Sequence, residues 1–160
     1  MKKRSRGREL ALALLYQLDL RGDDTLELAE DFLREEEPDR EARAFALRLF
    51  KGTRENLDEL NKIIAGVAQN WDISRMAVID RNVLRLAAQE LLHSKDVPPK
   101  VAINEAIELG KRYSTQNSGA FINGILDKIM NRARPEGATP ATGTPPAAEL
   151  ATLDEPAPGE

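Results

Sequence analysis

The stretch 98–132, "PPKVAINEAIELGKRYSTQNSGAFINGILDKIMNR", decides the fold class. Pro98 and Pro99 suit the first turn of a helix, and at about 100° per residue Ala102, Ile103, Ala106, Ile107, Leu109 and Gly110 make one wide apolar arc reaching to Tyr113. Asn104, Glu105, Glu108, Lys111 and Arg112 hold the other side. Small residues at 102, 106 and 110 imply a closely approaching neighbour. A second helix follows, capped by Asn117 or Ser118, with Ile122, Ile125, Leu126, Ile129 and Met130 on a core-facing stripe. Phe121 sits at the edge of that stripe, on the flank that also carries Lys128 and Arg132.

The helical pattern extends through the rest of the chain. Ser5 is a plausible N-cap for a helix reaching Leu20, closed by Arg21-Gly22. A second helix is expected over about 25–36, and Asp39 can cap a long third one through about Asn70. Ser74 or Asp80 opens a helix ending near His93. No run alternates with period two, so the domain should be all-α, six or seven helices joined by short loops. The first helix is apolar nearly all round: Leu10, Leu14 and Leu18 form one ridge while Leu12, Tyr16 and Leu20 point elsewhere. It should be buried on several sides, with the Tyr16 side available to a partner protein.

With 160 residues, 41% of them hydrophobic, the chain suits one domain of about 130 residues plus an unstructured segment. Cysteine is absent, which removes disulfides and thiolate metal sites. No apolar run approaches the ~20 residues that span a bilayer, and no signal-peptide pattern appears, so the reading is a cytoplasmic protein. The net charge of −4 conceals an asymmetry. Residues 1–8 carry Lys2, Lys3, Arg4, Arg6 and Arg8 with no acid, whereas residues 135–160 carry five acids and no base. A concentrated basic arm can bind phosphates whatever the total charge. The segment from Pro135, with six prolines and no aromatic residue, cannot bury enough apolar surface to offset its ordering entropy and is expected to be disordered.

Catalytic chemistry finds no support. His93, the one histidine, falls at a helix C-terminus, where a cation is favoured by the dipole. There is no phosphate loop, nucleophile elbow or metal-ligand cluster, and "RGDD" at 21–24 is most simply a turn. The chain reads as a non-enzyme without cofactor or metal.

The stretch 98–129, preceded by "IDRNVLRLAAQELL" (79–92) and by "RELALALLYQLDL" (8–20) after a basic N-terminus, resembles the NusB family of bacterial transcription antitermination factors. The likeness covers about residues 4–133; V-A-I-N-E-A-I-E-L-x-K-R followed by F-I-N-G-I-L-D-K is its most specific part. The resemblance implies two packed three-helix bundles over 9–134, between a basic arm (1–8) and an acidic tail (135–160). It implies a protein that pairs with NusE, a small-subunit ribosomal protein, and binds single-stranded boxA RNA so that RNA polymerase passes terminators, notably in ribosomal RNA operons. By position, the five arm cations and Asn117, Ser118, Gly119 and Phe121 match the RNA-binding region, and Tyr16 and Asp80 match the NusE interface. Lys128 and Arg132 join the first group because an aromatic ring beside cations can stack bases and neutralise phosphates. Asn117 stands where relatives often carry an acid, Ala120 where a base can occur, and Gly110 where alanine is commoner. Two other readings remain: a protein adaptor that never touches RNA, and a stand-alone relative of the NusB-like domain of an rRNA methyltransferase, which would need a cofactor-binding α/β domain.

Overall fold

A helix that is apolar on every side must find neighbours on every side, and the first helix does. A computed structural model describes residues 2–69 and 72–133. In it α1 (Lys2–Arg21) packs against α2 (Asp24–Glu36), α3 (Arg40–Glu55) and α5 (Val78–His93). Leu10, Ala11, Leu12, Leu14 and Leu15 are all buried. α4 (Leu57–Val67), a short 3-10 turn (Ile73–Arg75), α6 (Pro99–Tyr113) and α7 (Ser118–Ala133) complete the described residues, among which there is no strand. The helices α1 to α3 form one three-helix bundle, and α5 to α7 form the second with α4 laid along α5 and α7. No helix is long and apolar enough to cross a membrane.

The bundles meet at α5, whose ten consecutive residues Asn82 to Leu91 are buried. Four of those are polar or charged, so its sequence does not look like a core helix. Each polar group is matched. Arg85 donates to Asn61 and Asn82, Asn82 donates to Asp19, and Gln89 accepts from Asn56. Glu90 receives two hydrogen bonds from the Arg8 guanidinium, at 2.8 and 2.9 Å. That pair is almost wholly buried, and it ties α1 to α5 across the centre of the molecule.

Several local expectations hold and others need correction. Gly22 adopts a positive φ of 72° and its N–H bonds the Leu18 carbonyl, so "RGDD" is the turn that ends α1. The Asp39 carboxylate accepts from the Ala42 N–H at 2.8 Å, as an N-cap should, and this bond holds its pKa below the ordinary value. Ile122 occupies the space where a side chain at Gly110 would stand, which explains glycine there. The helix expected from Asp39 to Asn70 is two helices, because Asn56 leaves helical geometry (φ −102°, ψ 20°) and spends its amide on Gln89. Ser5 caps nothing; α1 already begins at Lys2, and the Ser5 hydroxyl donates to Glu105. Residues 2–8, within the stretch read as a basic arm, form the first turns of α1. The segment from Pro135 read as disordered lies outside the described residues.

Removing one member of a buried ion pair leaves the other charge uncompensated, which typically costs about 3–5 kcal/mol. Arg8→Ala should lower unfolding free energy by about that amount in urea denaturation, and the double variant Arg8→Met/Glu90→Met should lose markedly less.

Candidate nucleic-acid and partner interface

The α7 flank keeps the geometry that the helical wheel implies. Phe121 is half-buried against the edge of the core and Lys128 is exposed on the same side, about 10 Å further along at 1.5 Å per residue. Arg132 lies roughly 16 Å from Phe121 by the same rise. Its guanidinium reaches Gly66 on α4, and burial lowers its pKa from the ordinary arginine value. The two cations thus differ: one faces solvent, the other lies against protein.

Phe121 is aimed by what precedes it. Ser118 and Gly119, expected among the contact residues, are buried. The Ser118 hydroxyl accepts from the Thr115 N–H at 3.3 Å and pairs with the Thr115 hydroxyl at 3.0 Å, while Gly119 lets α7 approach Ile107 and the methylenes of Lys111 on α6. Both residues position the first turn of α7. Asn117, one residue earlier, is exposed.

The N-terminal cations are already engaged. Lys3 meets Glu41 and Asp39 at 2.5 and 3.5 Å; the hydrogen bond to Glu41, then the Asp39 charge, raise its pKa. Arg4 reaches Asp96 at 3.3 Å, and Arg6 bonds Glu9 and Glu37, each at 3.1 Å. Lys2 is exposed. Arg8, also expected among the RNA contacts, differs in kind: it is 2% exposed and its guanidinium is held by Glu90.

Further along α1, Tyr16 is 41% exposed. It borders a groove of about 320 Å³ whose walls include Leu12, Phe32, Ile79 and Tyr113. Asp80 adjoins Ile79 in the first turn of α5, and one of its carboxylate oxygens is buried without a hydrogen-bond partner. Phe32 and Tyr113, which the sequence reading did not single out, join Tyr16 at this groove from helices far apart in the chain. His93 is exposed at the end of α5 and pairs with Glu59 at 3.0 Å. No group of acids and histidine suited to a metal occurs among the described residues.

A family model described as the NusB family matches residues 5–131. The chain belongs to the NusB family. It is 47% identical over 135 residues to the transcription antitermination protein NusB of an Anaeromyxobacter species, covering 84% of this chain and 94% of that one. The fold is similar to a structure of T. maritima NusB, at a TM-score of 0.76 and 44% identity, over 83% of this chain and 94% of the other. It is also similar to a structure of antitermination factors NusB and NusE in complex with dsRNA, at a TM-score of 0.74 and 30% identity, over 82% of this chain and 98% of that one. NusB relatives are named for transcription antitermination and not for a reaction, in agreement with the reading of the chain as a non-enzyme.

Because Phe121 is only half-buried, its truncation removes part of the 1.5–3 kcal/mol that full burial of such a side chain contributes. Phe121→Ala should cost about 1–2 kcal/mol in thermal or urea unfolding, well short of the loss at Arg8.

Proposed function

We propose that this chain is a transcription antitermination factor that acts in the cytoplasm, binds single-stranded boxA RNA together with NusE, and supports read-through by RNA polymerase, notably in ribosomal RNA operons. The observation that carries this reading is the likeness, along nearly the whole of its length, to the NusB of a NusB–NusE–RNA assembly. Two surfaces then divide the work. The α7 flank, with Phe121 as a stacking platform, Lys128 as a phosphate contact and Asn117 at its entrance, takes RNA together with Lys2, Lys3, Arg4 and Arg6. Arg132 borders this flank from its place against α4. Gly119 and Ser118 aim the platform, and Arg8 anchors the helix that carries the other cations.

The Tyr16 groove takes NusE. An exposed tyrosine over a largely apolar hollow, with Asp80 next to Ile79 of its wall, has the composition of a protein contact. A pure adaptor would use this groove alone. The α7 flank, where the chain keeps an aromatic ring half-open beside an exposed lysine, argues for RNA as well.

Affinity for a boxA-like single strand, measured with and without NusE, tests the proposal. Phe121→Ala should weaken binding roughly five- to a hundredfold, since stacking of a base on an aromatic side chain is worth about 1–3 kcal/mol, while the dependence on salt hardly changes. Phe121→Trp should retain binding. An Ala variant that binds as the wild type would remove the platform from the mechanism.

Tyr16→Asp or Asp80→Lys should abolish most NusE capture in a pull-down while RNA binding by the isolated subunit survives. Capture at wild-type strength by both would place the partner elsewhere.

A further inference from the structure

A second cleft lies apart from the Tyr16 groove and shares Arg4 with the proposed RNA surface. It has a volume of about 500 Å³ and opens between the start of α1, the outer face of α3 and the end of α5. Arg4, Arg48 and Lys51 line it, and the exposed Lys95 adjoins Asp96 at its edge. Glu55 and Asp96 are the acids of the lining, so three lining cations face two acids, and His93, also in the lining, is paired with Glu59. Arg48 and Lys51 are exposed, and neither forms an ion pair with any described residue.

What sets this cleft apart from a solvated row of lysines is Phe45. Three guanidinium groups gather around its ring, those of Arg4, Arg8 and Arg48, at 4.9, 5.2 and 5.9 Å from the centroid. Arg8 is neutralised by Glu90 beneath. Arg48, and Arg4 with its Asp96 partner, remain at the cleft, both drawn to one aromatic ring that is itself buried and fixed against Gly7. Bringing like charges together costs energy that an anion would recover, and planar guanidiniums pre-placed on a ring suit the paired oxygens of a phosphate.

We infer that the α1–α3–α5 cleft is a second nucleic-acid subsite, in which Arg48 and Lys51, with Arg4, hold the phosphodiester backbone of the single strand that the α7 flank engages. The inference rests on the proposed RNA-binding function and extends the path of the strand past the N-terminus of α1 to a face of α3. The cleft is of a size that ligand sites commonly have, and its cations accept phosphate without reading sequence.

The test uses the full chain and a boxA-like single strand. Arg48→Ala/Lys51→Ala should make the slope of log K against log[salt] shallower by about 1.4, at ~0.7 per phosphate contact, and this amounts to roughly a 25-fold weaker affinity at 0.1 M salt. Melting should stay within a few degrees of wild type, because both side chains are exposed. Lys62→Ala, an exposed cation on α4 away from the cleft, should change neither quantity. If the wild type binds the strand and the double variant matches it in slope and affinity, the cleft is not a nucleic-acid subsite. If the wild type does not take the strand at all, the functional reading has failed and this inference with it.

Discussion

The buried pair of Arg8 and Glu90 is the constraint on which the rest of the molecule depends. Two charges withdrawn from water are costly unless each satisfies the other, and here the guanidinium and carboxylate meet through two hydrogen bonds. The pair fixes the rotation and the axial position of α1 against α5, and α5 is the element through which the two bundles touch. With α1 so fixed, Arg4 meets Asp96 in the α5–α6 loop and the Phe45 ring on α3, Arg6 meets Glu37 after α2, and Tyr16 lines a groove with residues of α2, α5 and α6. One polar contact in the core therefore sets the bearing of both surfaces.

This arrangement also changes what a basic N-terminus means. Read as a string, five cations without an acid suggest a loose arm. In the fold the acids come from elsewhere: Glu41 and Asp39 at the start of α3, Glu37 before it, Asp96 in a loop, Glu90 in the core. These partners lie 30 to 90 positions away, beyond anything that local charge patterning can report.

The all-α class, the turn at Gly22, the Asp39 cap and the close approach at Gly110 were legible because each depends on residues within one or two turns of one another. The break at Asn56 was not, since it rests on an amide bond to Gln89 from another helix. Nor was the burial of α5, whose Asn82, Arg85, Gln89 and Glu90 look like a solvent face until their partners are in place. Of the residues proposed for the interfaces, Phe121 stands out from helical periodicity because it sits at the edge of the core-facing stripe around it. Ser118 and Gly119 could not be sorted into support and contact without the packing of α6 on α7. Arg48 and Lys51 look like ordinary helix-surface cations; only the ring of Phe45 and the wall supplied by α1 and α5 single them out.

The ion pairs along the first turns of α1 have a consequence for how binding is energised. A phosphate arriving at Lys3, Arg4 or Arg6 does not find a bare cation; it enters an exchange in which a carboxylate is displaced. The strand sheds a condensed counterion, but the liberated Glu41, Asp96 or Glu37 regains one from solution, so the net release of ions is smaller than the number of contacts made. Such a surface gains less from simple electrostatic attraction than an unpaired arm would, and it also adheres less to arbitrary polyanions. Self-neutralisation of this kind moves the burden of discrimination from charge to shape, from the number of lysines to whether a base finds its ring.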